Sequence, residues 1–217
     1  MPIERKQIVK NHLILCEGRD AELFLINYLE SKELAHDQRF PNEIQVLDFG
    51  GNENLSNFLL NLKNMDGYER VTSIAIIRDA EKDYDKACRE VQTSLQKCGF
   101  VSPEVSGSWA CDDTGLRVGF MLFPLNEEAG TLEDLCIMIL SEKNNKPILS
   151  SVDSFLSEME SVYERNYRRK HKNILHTYLS STDRYVTMQI GLAASAGAFD
   201  WGSAELVPLE RFLLEGF

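Results

Sequence analysis

The chain has 217 residues, 43% hydrophobic and 26% charged, with a formal net charge of −11. This is the profile of a folded domain with a well-filled core; the acidic balance excludes a protein that coats nucleic acid through overall positive charge. Cys16, Cys88, Cys98, Cys111 and Cys136 form no C-x-x-C pair, which speaks against a disulfide framework or a thiolate zinc site.

No stretch approaches the roughly 20 apolar residues of a membrane span. The start, "MPIERKQIVKNHLILC", lacks the long apolar segment and small-residue cleavage site of a signal peptide. With its unpaired cysteines, the chain is expected to be cytoplasmic.

In chain order, residues 12–16 predict a short buried strand. Asp20 predicts the N-cap of a helix from Ala21 to about Ser31, with Leu23, Phe24, Ile26, Tyr28 and Leu29 as its apolar positions. "EIQVLDFGG" predicts a second strand ending at Gly50–Gly51, after which Asn54 opens the helix "LSNFLLNLKNM". "VTSIAII", rich in β-branched residues, predicts a third strand. The helix after it carries Ala87, Val91 and Leu95, runs through about Lys97 and stops at Gly99. "SPEVSGSWACDDTG" reads as an irregular excursion or a hairpin, "RVGFMLFP" as a fourth strand halted by Pro124, and "GTLEDLCIMIL" as another helix.

From about Asn144 the strands cease. "SVDSFLSEMESVYERNYRRKHKNILHTYLSS" fits one long amphipathic helix, with Phe155, Met159, Val162, Tyr163, Tyr167, Ile174 and Tyr178 along one side. Shorter helices cover "DRYVTMQIGLAASAG" and "PLERFLLEGF". The expected architecture is an α/β core over residues 1–143, a mainly parallel four-stranded sheet flanked by helices, with a helical extension over 144–217 packed on it. Ligands of such sheets bind beyond the carboxyl ends of the strands. Glu17, Asp79 and the turn after Pro124 therefore share one functional edge.

Two apolar runs end on acids there. "HLILCEGRD" passes into Glu17–Gly18, and "IAIIRDAEKDY" into Asp79, Glu81 and Asp83. Alternate residues of an extended segment point the same way, so at least two carboxylates of the D-x-E-x-D group are expected to converge. Neighbouring carboxylates repel unless a cation neutralises them or they diverge into water. Mg²⁺ suits such a cluster, preferring octahedral oxygen ligands and keeping waters that substrate phosphates replace; Mn²⁺ is its substitute. The other reading of Glu81 and Asp83 is a place in the first turn of the next helix, where acids suit the macrodipole. In "GTLEDL", Thr131 reads as an N-cap with Asp134 as its capping-box partner, which leaves Glu133 as a further candidate ligand. Gly18 permits a sharp exit from the first strand, and Arg19 is placed either to meet a phosphate or to pair with Asp20 or Glu22.

"LILCEGRDAELFL" followed by "IAIIRDAEKD" resembles the Toprim domain of topoisomerases, bacterial primases, small ribosomal-RNA maturases and OLD-family nucleases. The pattern also resembles small stand-alone Toprim-related proteins in "VGFMLFPLNEEAGTLEDLC" and in the ending "GLAASAGAFDW…PLERFL", so the likeness covers nearly the whole chain. It implies a Toprim/Rossmann-like fold, with Glu17 matching a glutamate that serves acid/base or metal-organising roles. Asp79, Glu81 and Asp83 match the acidic motif that holds Mg²⁺, Glu81 standing where the family has Asp. OLD nucleases combine this domain with an ATPase, so the resemblance implies an ATPase partner too.

Arg165, Arg168, Arg169, Lys172 and His176 recur at helical spacing. They form either a solvated face or a patch that tracks a DNA or RNA backbone. Lys170 falls within the apolar seam, where it snorkels or reaches the carboxylates to stabilise charge on a transferring phosphate.

Together these features predict a Mg²⁺-dependent, nuclease-like phosphodiesterase acting on nucleic acid. Glu17 and Asp79 are its catalytic candidates; Glu17, Asp79, Glu81, Asp83 and Glu133 its ligand candidates; Arg19, Arg165, Arg168, Arg169, Lys170 and Lys172 its phosphate contacts. The alternative is a noncatalytic binding or regulatory module on the same scaffold; a homo-oligomer is compatible with either. No P-loop, dinucleotide glycine fingerprint or G-x-S-x-G elbow is present. No lysine follows the fourth strand, as a phosphoryl-accepting acidic pocket would need.

Overall fold

The apolar runs of the first half become parallel strands because both of their faces are covered. The computed structural model describes residues 7–34, 43–125, 127–142 and 145–217. Through the sheet-forming part the order is β1 (His12–Glu17), α1 (Gly18–Leu34), β2 (Ile44–Gly50), α2 (Leu55–Leu62), β3 (Ser73–Asp79), α3 (Tyr84–Lys97), β4 (Ser108–Cys111), β5 (Arg117–Phe123) and α4 (Leu132–Ser141). The remainder is helical: α5 (Lys146–Tyr163), α6 (Lys170–Ser180), α7 (Ile190–Ser195) and α8 (Val207–Gly216). The expected boundary at 143/144 lies outside the described residues.

The sheet has five strands in the order β2-β1-β3-β5-β4, not the four expected. β2, β1, β3 and β5 are mutually parallel, and β4 is an antiparallel edge paired to β5. β4 comes from the segment read as an excursion or hairpin. It is only four residues long and none of them is buried, so it carries no apolar signal. Its Trp109 is held from outside the strand, stacking on Phe212 of α8 and donating its indole N–H to the Phe212 carbonyl at 2.9 Å.

Alternation along the strands divides the core. Leu13, Leu15, Ile74, Ile76, Val118 and Phe120 pack against α2 and α3. Ile14, Cys16, Ala75, Ile77, Met121 and Phe123 pack against α1, α4 and the C-terminal helices. Leu149, Leu175, Leu179, Ile190, Leu209 and Phe212 belong to this second cluster. The C-terminal helices thus complete one face of the sheet.

Two local expectations are corrected. Helix α1 begins at Gly18, not Ala21. The carboxylate that organises its entry is Asp48 of β2, which accepts from the Gly18 N–H at 2.8 Å and the Gly50 N–H at 2.6 Å. Gly18 and Gly50 both have positive φ, +85° and +86°, the region where glycine carries no Cβ penalty. Asp20 instead accepts from the Gly191 N–H at 2.8 Å, fastening α7 to α1. A Cβ on Gly191 would stand 2.7 Å from Leu23 Cβ, so the two helices meet where only glycine fits.

The single long helix is the other correction. α5 ends at Tyr163, Glu164 takes a left-handed φ of 53°, and the chain folds back into α6. Unbroken, the quoted segment would extend about 46 Å, with its second half beyond the sheet. Folded back, Leu149, Val152 and Leu156 of α5 are buried together with Leu175, Tyr178 and Leu179 of α6. Phe155, Val162 and Tyr163, expected on the apolar side, are instead exposed. Of "DRYVTMQIGLAASAG", only the second half is helical.

Candidate functional site

β1 and β3 are neighbours and end together, and two backbone bonds gather the segments that follow. The Ala80 N–H donates to the Phe123 carbonyl at 3.1 Å, and the Glu81 N–H to the Gly130 carbonyl at 2.8 Å. The second bond draws the loop after β3 against the start of α4, where Thr131 and Asp134 form the expected capping box. Six acidic residues thereby line one crevice of about 930 Å³: Glu17 from β1, Asp79 and Glu81 from the end of β3 and beyond, and Glu133 from α4, with Asp20 of α1 and Glu53 beside them. Arg19, Arg169 and Lys172 line it too.

Asp79 accepts from the Leu132 N–H at 2.9 Å. Its pKa is nevertheless pushed up to about 7, by burial first and then by the charges of Glu133, Glu17 and Glu81; the backbone bond opposes the shift. Glu133 is 6% exposed and meets the Lys172 ammonium at 2.6 Å. Burial works to raise its pKa, but the bonds from Lys172 and Thr131 bring it below the ordinary carboxylate value.

Glu17 has a partner that the sequence reading did not assign. Arg78 is 2% exposed, lies 3.6 Å from the Glu17 carboxylate through Nε, and reaches Glu90 of α3 at 3.2 Å. It also donates to the Asp79 carbonyl at 3.2 Å. The available signal was a guanidinium one residue before the end of an otherwise apolar strand. By strand alternation, Arg78 shares the face of Ile74 and Ile76, and Asp79 that of Ala75 and Ile77. Glu17 meets Arg78 on the α3 side, whereas Asp79 meets α4. The two acids face the crevice from opposite sides of the sheet's end.

The D-x-E-x-D group does not run extended. Glu81 has a left-handed φ of 58°, so the chain turns there, and Asp83 points away. Asp83 is the N-cap of α3, accepting from the Lys86 N–H at 2.9 Å, and does not line the crevice.

The basic residues are also redistributed. The break after α5 places Arg165 and Arg168 in the exposed connector, outside the crevice, and Arg169 at its wall. Lys170 is held by Asp153 at 3.2 Å, Glu160 at 3.0 Å and Ser157 at 2.9 Å, all on α5. The lysine that reaches the carboxylates is Lys172. Arg19 pairs with Glu22 while its side chain remains 69% exposed at the crevice rim.

As donors these carboxylates fit a hard divalent cation, and the pKa of Asp79, raised first by burial and then by the charges of Glu133, Glu17 and Glu81, is one that a cation would lower. Glu17, Asp79, Glu81 and Glu133 are the residues that could hold one. Among the described residues, no three acid, histidine or cysteine side chains form a ligating group as they stand.

Residues 11–217 match the model of a family described as Protein of unknown function (DUF3226). The chain belongs to this family. The DUF3226 match begins one residue before β1 and runs to the end of the chain, so every crevice residue lies within it. No curated protein matches. Among solved structures the chain is similar to the C-terminal region of the Xanthomonas campestris pv. campestris OLD protein, with 14% identity, a TM-score of 0.42 and 95% of each chain covered. Among the described residues, no helix of this DUF3226 member is long and apolar enough to cross a membrane.

Proposed function

We propose that the chain is a divalent-metal-dependent phosphodiesterase of nuclease type acting on nucleic acid. The observation that carries this reading is the meeting of Glu17, Asp79, Glu81 and Glu133 with Arg19, Arg169 and Lys172 in one crevice at the carboxyl end of a parallel sheet. The Toprim-like motifs at Glu17 and Asp79 supply the reaction class. Mg²⁺ or Mn²⁺ bound here would polarise a phosphoryl group and lower the pKa of a coordinated water. Asp79 and Glu17 would hold that ion from opposite sides, Glu81 and Glu133 adding negative charge. Arg169 and Arg19, at the wall and rim, would meet the flanking phosphates. Lys172, once drawn from Glu133, would lie beside charge developing on the transferred group.

Glu17→Gln and Asp79→Asn test this directly. Both should abolish Mn²⁺-dependent cleavage of labelled DNA and RNA strands while leaving the circular dichroism spectrum unchanged. Cleavage at the wild-type rate by both variants would overturn the assignment.

One observation favours a second reading, a binding or regulatory module on this scaffold, for example alongside an ATPase. The Lys172 ammonium already neutralises Glu133, so the crevice has a counter-ion of its own. Calorimetry with Mn²⁺ separates the two: heat of binding that is lost in Asp79→Asn supports the enzyme, and no heat in the wild type supports the module.

A further inference from the structure

We infer that the exposed face of α3, with the adjoining edge of α2, is the track along which a nucleic-acid strand lies on its way into the carboxylate crevice. This rests on reading that crevice as a phosphodiesterase site. Within α3, Ala87, Val91 and Leu95 are buried in the core. Lys86, Arg89, Thr93 and Lys97 follow one another at helical spacing on the outer face, and all four are exposed. They line a groove of about 500 Å³ between α3 and α2, where Ser56 of α2 bonds Ser94 of α3 at 2.9 Å.

The groove adjoins the crevice. Glu53 lines both, and Lys86 and Glu90 also line a third depression that reaches Glu81. α3 itself starts five residues after Asp79, so its Lys86 end lies nearest the acids and its Lys97 end farthest from them. The separation of Lys86 and Lys97 along the helix is about 16 Å, enough for a few nucleotides of one strand.

Charge distinguishes this face from Arg19, Lys170 and Lys172. Lys170 and Lys172 are each held by carboxylates at 3.2 Å or less, and Arg19 by Glu22. Of the two acids in the groove, Glu90 is met by the buried Arg78 at 3.2 Å and by Lys86 at 3.8 Å, and Glu53 stands at the end that adjoins the crevice. Among the described residues, neither Arg89 nor Lys97 has a carboxylate within ion-pair distance. On a chain of net charge −11, these cations are available to an anionic partner. Thr93 and Ser94 add hydroxyl donors, and among the described residues no aromatic ring lines the groove for bases to stack on. The chemistry is that of sequence-independent contact with the phosphate backbone.

The test is fluorescence anisotropy of the full chain with a labelled single strand long enough to span the groove, in DNA and RNA arms. EDTA is included so that binding is read without turnover. Lys86→Gln/Arg89→Gln/Lys97→Gln should weaken binding at least about tenfold and reduce the slope of log affinity against log salt by about 2, at roughly 0.7 per lost contact. Lys97→Gln alone, farthest from the acids, should lower the slope by about 0.7 and guards against a misfolded triple variant. Wild-type affinity and slope in both variants would overturn the track, as would failure of the wild type to bind any strand at low salt. Asp79→Asn keeps the two proposals distinct. If it stops cleavage while the charge variants bind like wild type, the track alone fails; if it cleaves normally while they lose binding, the phosphodiesterase reading alone fails.

Discussion

Lys172 of α6 places its ammonium 2.6 Å from the carboxylate of Glu133 in the first turn of α4. This pair joins the C-terminal helices to the carboxylate crevice, and the fold-back after Glu164 is what delivers it.

Removing one partner should therefore cost more than removing both. Lys172→Met leaves Glu133, almost wholly buried, without its cation, at a cost of about 2 kcal/mol or roughly 4–8 °C in Tm. Glu133→Gln/Lys172→Met should recover most of that loss. A double-mutant cycle from urea melts measures the coupling, expected near 1–3 kcal/mol; additive effects would show that the pair contributes nothing.

Asp79 gives the opposite sign. Its folded pKa of about 7 lies above the ordinary value of 3.8. Whatever stability it contributes is complete below about pH 4 and is lost as pH rises through 7. Asp79→Asn escapes that loss. In EDTA its Tm should match wild type near pH 4 and exceed it at pH 8 by about 4–8 °C, corresponding to about 2 kcal/mol after allowance for the partly exposed position. Scanning calorimetry at the two pH values decides it: equal Tm at pH 8 would mean that Asp79 carries no raised pKa.

Glu81 separates fold from function within one residue. Glu81→Gly relieves the left-handed φ and should hold stability at or slightly above wild type. Glu81→Val, β-branched, should lose about 1–2 kcal/mol in a denaturant melt. Both remove the carboxylate, so both should weaken Mn²⁺ binding by calorimetry. Equal melts for Gly and Val would argue against the turn.

Arg78 is the buried cation between Glu17 and Glu90. Arg78→Met should destabilise by about 3–5 kcal/mol. Arg78→Lys should restore little, because a point charge cannot reach Glu17, Glu90 and the Asp79 carbonyl together. The urea midpoint of each variant reads the difference, and full rescue by lysine would remove the bridging role.

Much of the sheet is legible in the sequence. The wholly apolar runs that became β1, β3 and β5 announce strands covered on both faces, and the acids that close β1 and β3 locate the functional edge. The capping box at Thr131 was equally local, since all its atoms lie within four residues. β4 was not visible as a strand, because an edge strand with no buried residue carries no hydrophobic period.

The sequence by itself determined which residues are apolar, where the strands end and which acids stand at those ends, because these depend on neighbours in the chain. Tertiary structure decided the rest. The turn at Glu81 sends Asp83 to cap α3, the left-handed Glu164 folds α6 back so that Lys172 reaches Glu133, and Arg78 finds Glu17 across the strand ends. Each outcome depends on a partner distant in sequence, or on a backbone angle that residue identity leaves open, and such choices are set only when the two faces of the sheet are packed.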